Sequence, residues 1–239
     1  MQSNISTFIL YSKHEPERAA QVAELVAQLP NTKIIAPVFP KYEHVPFIEK
    51  LVNKSKERTG KALLQNEIGC LLGHRRIWKE ILKSHGSETE HYLVLESDSK
   101  LIDVSKIDSI YKTEQTPKAK PFINQYDLFF WGAWNGHVSI KRSTRKIVDK
   151  SYRIGEPLIK SVYGTYGYSV NKKAARYLLA QTKKISFPVD FFKRYVNESV
   201  LKLGAVQNEL VTTWRTTRSN INDETKFGII KRDCIIKIF

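Results

Sequence analysis

The chain is short of sulfur and of acid. Its two cysteines in 239 residues, Cys70 and Cys234, supply neither a disulfide framework nor a repeated metal-binding spacing, and so fit a reducing compartment. No apolar run approaches the length of a membrane-spanning helix. The opening "MQSNISTFIL" lacks a basic leader followed by a full apolar region and a cleavage site. There is no phosphate-loop motif, dinucleotide fingerprint or nucleophile elbow. Internal repeats, low-complexity tracts and an evident interdomain linker are missing as well. Acids are outnumbered, 24 Asp plus Glu against 39 Lys plus Arg, and the resulting charge of +15 attracts polyanions from a distance. Nucleic acid, anionic lipid and phosphorylated small molecules all qualify, as does a merely soluble basic surface.

What is present suits a packed fold: 41% hydrophobic and 26% charged residues, in a chain long enough for one substantial core. A single domain over 1–239 is expected, with 216–239 as a basic amphipathic tail. "STFILYS" reads as a buried strand, and "EPERAAQVAELVAQL" places Ala19, Val22, Val26 and Leu29 at helical spacing. "TKIIAPV" is a second strand. "NEIGCLLGHRRIWKEILKSHG" carries an apolar helical face, with Asn66 as the expected N-cap and Gly86 as the stop. Strands follow at "HYLVLE" and "YDLFFWG", and residues 134–160 fit either a hairpin or a flap over a site. "GTYGYSV" leads into a helix capped by Asn171, "PVDFFKRYVNESVLKLG" reads as a helix begun at Pro188, and "AVQNELVTTW" as a late strand. This alternation predicts an α/β fold with a mostly parallel sheet flanked by helices.

The chemistry concentrates in a few places. If "ESD" stays extended, Glu96 and Asp98 project to one side and suit a hard divalent cation, Mg²⁺ or Mn²⁺, completed by substrate phosphate. A solvated turn that caps the next segment is the competing reading. Glu67, Cys70 and His74 lie three and seven residues apart along one helical stripe, beside a smooth strip made by Gly69 and Gly73; a Glu-to-His hydrogen bond in a packed helix would explain them equally. Asp190 sits among Phe187, Val189, Phe191 and Phe192, where burial would raise its pKa toward proton-transfer work; alternatively it interacts with a helix start. "FFWGAWNGH" groups Trp131, Trp134, Asn135 and His137, with core packing expected of Trp131.

Taken in order, "NEIGCLLGHRRIWKEIL", "YLVLESDSKL", "GTYGYSVNKKAARYLL" and "FPVDFF" resemble glycosyltransferase family 25, the bacterial lipooligosaccharide glycosyltransferases with collagen-modifying relatives, over roughly residues 5 to 215. The resemblance implies a GT-A type nucleotide-sugar fold, a divalent cation, usually Mn²⁺, and inverting transfer from a UDP-sugar, commonly UDP-galactose. It places Glu96 and Asp98 on the motif that holds donor and metal, with Asp98 the stronger ligand. Glu67 and His74 fall on donor-site positions, and Asp190 on a catalytic or ligand-binding one. Of the carboxylates that could take the acceptor proton, Asp190 comes first and Glu209 is the reserve. Ser97 replaces a usual third acid, and Gly73 a usual Ser.

The expected partners are a UDP-sugar, a lipid-linked oligosaccharide acceptor and an anionic membrane surface met by the tail, with no specific nucleic acid. The expected location is cytoplasmic, or peripheral on the cytoplasmic face of the inner membrane. Two alternatives of other classes are a nucleic-acid-binding protein or metal nuclease, suggested by charge, and a carbohydrate-binding relative that has lost catalysis, suggested by Ser97.

Overall fold

Side chains alternate along "LFFW" between two cores. Leu128 and Phe130 pack on one side of a sheet, Phe129 and Trp131 on the other, and all four are buried. A strand buried on both faces needs helices above and below it, and the chain supplies them. The computed structural model describes residues 4–111, 122–132, 136–148 and 152–214. In order it contains β1 (Thr7–Leu10), α1 (Ala19–Gln28), β2 (Thr32–Ile35), α2 (Ile48–Thr59), α3 (Gln65–Lys83), β3 (Tyr92–Glu96), β4 (Ser99–Leu101) and α4 (Val104–Tyr111). Next come β5 (Leu128–Phe130), β6 (Lys146–Ile147), β7 (Arg153–Gly155), β8 (Gly167–Val170), α5 (Lys172–Gln181), α6 (Phe192–Tyr195), β9 (Leu203–Val206) and β10 (Val211–Thr213).

The main sheet has 8 strands in the order β2-β1-β3-β8-β5-β9-β7-β6. β8 and β7 run against the other six strands, so the sheet is mixed but mostly of one direction. On one face α3, α5 and α6 bury Ile68, Leu71, Ile77, Trp78, Leu178 and Phe192 against Phe8, Val94 and Phe130. On the other, α1 and α4 bury Val22, Leu25, Ile107 and Ile110 against Ile9, Leu93 and Leu95. Each such side chain contributes roughly 1.5–3 kcal/mol relative to exposure. Trp131 belongs to this second core: it is 0% exposed and donates its indole N–H to Ser169 Oγ at 2.6 Å.

Several local expectations change. α3 starts at Gln65 rather than after an Asn66 cap, because the Glu67 carboxylate accepts the Leu64 N–H at 2.8 Å and holds the first turn one step earlier. The helix expected from Pro188 shrinks to four residues: Val196 turns extended, and Asn197 draws the chain into a turn by accepting the Ser199 N–H at 2.9 Å. "AVQNELVTTW" divides into β9 and β10, and β10 leaves the main sheet to pair antiparallel with β4. Within 134–160, β6 and β7 form an edge hairpin. Asn171 caps α5 as expected, its Oδ1 accepting the Ala174 N–H at 2.9 Å. Among the described residues no helix is long and apolar enough to cross a membrane. The tail 216–239, with Cys234, lies outside the described residues, as do Trp134 and Asn135.

Candidate active site

β1 and β3 are parallel neighbours, and their carboxyl ends open into one cleft. This is where open α/β sheets bind ligands, because the chain leaves the sheet there in loops of opposite destination. The walls include Leu10 at the end of β1, Glu15 and Arg18 ahead of α1, Val38 and Phe39 after β2, Asn66 and Cys70 from α3, and Glu96, Ser97 and Asp98 after β3. The cleft opens to solvent and mixes apolar walls with charged groups, as small-molecule sites do.

Two glycines on α3 let the wall close. A Cβ on Gly69 would stand 2.3 Å from the Val38 carbonyl oxygen, and one on Gly73 would stand 2.9 Å from Leu10 Cδ1. The smooth strip read from sequence therefore receives the backbone after β2. Gly69→Ala is expected to destabilise the protein by about 1–3 kcal/mol, because backbone rather than a flexible side chain must move. Chemical denaturation checks this; an unchanged midpoint would show that the segment is not packed on α3.

β3 ends at Glu96 and does not continue through Ser97 and Asp98. Ser97 and Asp98 form a turn between β3 and β4, correcting the extended geometry expected for them. The turn is pinned on both sides. Glu96 N–H donates to Ser99 Oγ at 3.0 Å, Ser99 Oγ donates to the Tyr166 carbonyl, and Trp214 N–H donates to the Asp98 carbonyl at 2.9 Å. Both acidic side chains still line the same cleft.

Behind them a buried relay fixes Glu96. Trp78 can only donate through its indole N–H, which reaches Tyr168 Oη at 2.9 Å. The Tyr168 hydroxyl meets His74 Nδ1 at 2.9 Å, and His74 Nε2 meets Glu96 Oε1 at 3.3 Å. An ionised Glu96 accepts only, so Nε2 carries a proton, and in that tautomer Nδ1 accepts from Tyr168. Thr165 Oγ1 adds another donor to Glu96 Oε1. Burial pushes the Glu96 pKa up, but the His74 and Thr165 hydrogen bonds and the Arg18 charge outweigh it and hold Glu96 below the usual carboxylate value.

Asp98 is different. Burial and then the Glu96 charge push its pKa up to about 6, with Arg18 opposing them. Arg18, itself buried, donates to Ser97 Oγ at 2.8 Å and stands 3.4 Å from Glu15 Oε1 and 3.8 Å from Asp98 Oδ2. Asp98 Oδ1 is buried with no hydrogen-bond partner among the described residues. A solvent-starved carboxylate oxygen beside a second carboxylate, in a cleft, matches the oxygen-donor chemistry of a hard divalent cation.

The structure thus gathers the sequence candidates around the first half of α3, though not in one shell. Glu96 and Asp98 line the cleft. His74 is 0% exposed and acts through Glu96. Glu67 holds the start of α3 and adds its charge to the field at Asp190. Asp190 lies in the turn ahead of α6, half-buried, where burial and then the charges of Glu96 and Glu67 push its pKa up to about 6. Glu209 stands beside Gly136 in the β9–β10 connection and is not among the charges acting most strongly on Asp98 or Asp190. His137 is exposed and bridges to Asn208.

The family model for glycosyltransferase family 25 (LPS biosynthesis protein) matches residues 6–193, a span that contains the cleft, the relay and Asp190. The chain belongs to glycosyltransferase family 25. Comparison with individual curated proteins found no match. The mixed sheet of this family 25 glycosyltransferase, covered by helices on both faces, is consistent with the GT-A type architecture. Its membership decides between the classes that charge alone left open, in favour of a sugar-transfer enzyme of LPS biosynthesis.

Sequence reading missed Glu15, Arg18, Thr165 and Tyr168. A signal for the first two was available: "HEPER" begins a few residues after the first strand, and charges at the carboxyl end of a buried strand fall at the ligand-binding edge of an α/β sheet. Tyr168 lies within a strand, and nothing local separates it from an ordinary core tyrosine.

Proposed function

We propose that this glycosyltransferase moves a hexose, galactose first among candidates, from a UDP-sugar to a saccharide acceptor of lipooligosaccharide or LPS, with inversion. The observation that carries the reading is the buried Asp98 Oδ1, without a hydrogen-bond partner among the described residues, beside Glu96 at the mouth of the β1–β3 cleft. Asp98 and Glu96 would hold a divalent cation, Mn²⁺ or Mg²⁺, whose chemistry when bound is to neutralise charge on the departing diphosphate. Glu96 is aimed by His74 and Thr165, and the Asp98 turn by Arg18, Ser99 and Trp214, so these carboxylates meet the donor without reorganising.

Asp190 accepts the proton of the acceptor hydroxyl as its oxygen bonds to the anomeric carbon. The bond from that carbon to the phosphate oxygen breaks, and its electron pair leaves with UDP. A carboxyl group lifted to about 6 is ionised at neutral pH and a stronger base than an ordinary aspartate. The excess of 39 basic over 24 acidic residues supports attraction to a phosphorylated, lipid-linked acceptor at an anionic membrane surface.

The test is thermal unfolding with UDP. With Mn²⁺ present, UDP is expected to raise the Tm, by the equivalent of about 2.7 kcal/mol at a hundred times its Kd, and to do little without a divalent cation. Salt-sensitive oligonucleotide binding with no response to UDP would instead favour a nucleic-acid partner.

A further inference from the structure

Cys70 has no part in the mechanism above, yet it faces the same cleft as Glu96. It is a free thiol four residues before His74, so both side chains leave one face of α3. Glu96 comes to meet them from the end of β3. A ligand atom from each of these three residues lies within 4.8 Å of the other two. We propose that Cys70, His74 and Glu96 form a site for a thiolate-preferring divalent cation of the Zn²⁺ class, distinct from the oxygen-donor site for the hard cation but sharing Glu96 with it.

The donor set is the first argument. Sulfur, imidazole nitrogen and carboxylate oxygen are the ligands of zinc, and three protein ligands with one open position make the reactive form of such a site. Bond lengths of about 2.3 Å to sulfur and 2.0 Å to nitrogen put tetrahedral donors about 3.5 Å apart, so small side-chain rotations close the present spacing.

The second argument is the support behind the donors. His74 Nε2 faces Glu96, while Nδ1 is held at 2.9 Å by Tyr168 Oη, which the Trp78 indole N–H fixes in turn at 2.9 Å. A ligating histidine needs such a partner on its other nitrogen to set its ring. On metal binding Nε2 gives up its proton and becomes the ligand, while Nδ1 carries the ring proton and donates a hydrogen bond to Tyr168 Oη, whose own O–H must then turn away from Nδ1. Glu96 is likewise oriented by Thr165. The cleft provides the entry path, and its water or a substrate oxygen the fourth ligand.

The consequence is antagonism. A thiophilic cation bound here draws Glu96 toward α3, away from Asp98, and reduces transfer supported by Mn²⁺ or Mg²⁺. Binding itself does not depend on which donor or acceptor the enzyme uses, so its test is separate from that of the proposed reaction.

Co²⁺ serves as the probe, on the full chain carrying Cys234→Ser so that only Cys70 can supply sulfur. One equivalent is expected to give a thiolate-to-cobalt charge-transfer absorption, bleached by Zn²⁺ and not by Mg²⁺. Cys70→Ser should abolish it, and His74→Gln should weaken Co²⁺ binding at least tenfold. An absorption that is missing, or that survives Cys70→Ser, overturns the proposal. Alkylation of Cys70 in the unmutated protein, followed by peptide mass, needs no variant: Zn²⁺ should slow it at least tenfold where Mg²⁺ does not, and equal rates overturn the site.

Discussion

Asp98→Asn is expected to abolish Mn²⁺-supported sugar transfer, lowering kcat/KM by roughly a thousandfold, in line with the several kcal/mol that a bound cation supplies to a charged transition state. The substitution keeps the shape of the side chain and the backbone carbonyl that accepts the Trp214 N–H at 2.9 Å. It removes the charge and turns one acceptor oxygen into an N–H donor. Stability should move the other way. Because burial and Glu96 raise the Asp98 pKa to about 6, the folded protein holds that proton more tightly than the unfolded chain does. Above pH 6 the ionised group therefore costs stability, and this cost fades as pH falls toward the unfolded value near 4. The asparagine variant should be the more stable protein at pH 7 to 8 without metal, and the difference should shrink on acidification. Loss of activity together with a lower Tm would point to a structural role for Asp98 instead.

Asp190→Asn is expected to lower kcat by about 10² to 10⁴, the usual worth of a positioned general base, while UDP binding with Mn²⁺ stays intact. The two carboxylates are separable by this split. Asp98 belongs to donor binding, so its loss removes the UDP-dependent Tm shift; Asp190 acts on the acceptor, so its loss does not. A pH profile sharpens the assignment. The base works ionised, and kcat should fall as pH drops into the range where Asp190 gains its proton, about 6 without metal and lower once a cation offsets the Glu96 charge. A cation on Asp98 keeps that second carboxylate ionised and leaves Asp190 to set the limb. The limb should vanish from the residual activity of Asp190→Asn. An unchanged kcat in this variant would transfer the role to another group, with Glu209 next in line.

The strands and helices that were legible rest on local periodicity, whereas α2, β4 and α4 fall in stretches that gave no such reading. The apolar stripe of α3, the "YDLFFWG" strand and the Asn171 cap are short-range patterns, and each formed where the pattern placed it. Less legible was anything that depends on a distant partner. The sequence of β8 says nothing of its insertion between β3 and β5, nor does "VTT" announce that β10 leaves the main sheet for β4. The bend at Ser97 and Asp98 arises from Ser99, Tyr166 and Trp214, the last of these more than a hundred residues away in sequence.

The site shows the same division. Glu67, His74, Glu96, Asp98 and Asp190 are visible as titratable residues at suggestive spacings, and they do converge. Their separate relations to the cleft emerge only from packing. His74 has no exposed surface and reaches the chemistry through Glu96, whereas Glu67 spends its carboxylate on the first turn of α3. Arg18 in "HEPERAA" has the look of a solvated residue at a helix start, and only its place just beyond a buried strand hints otherwise. It is buried because the Ser97 hydroxyl and the acids Glu15 and Asp98 together compensate its charge.

The most direct test of the central claim is a panel of UDP-galactose, UDP-glucose and their N-acetyl forms, each incubated with the enzyme, Mn²⁺ and candidate core saccharides while UDP release and product are measured. Acceptor-stimulated UDP release is expected from one donor, UDP-galactose, and should stop when the cation is chelated and be lost in Asp98→Asn. Transfer that proceeds undiminished in Asp98→Asn, or with the cation removed, would contradict the claim.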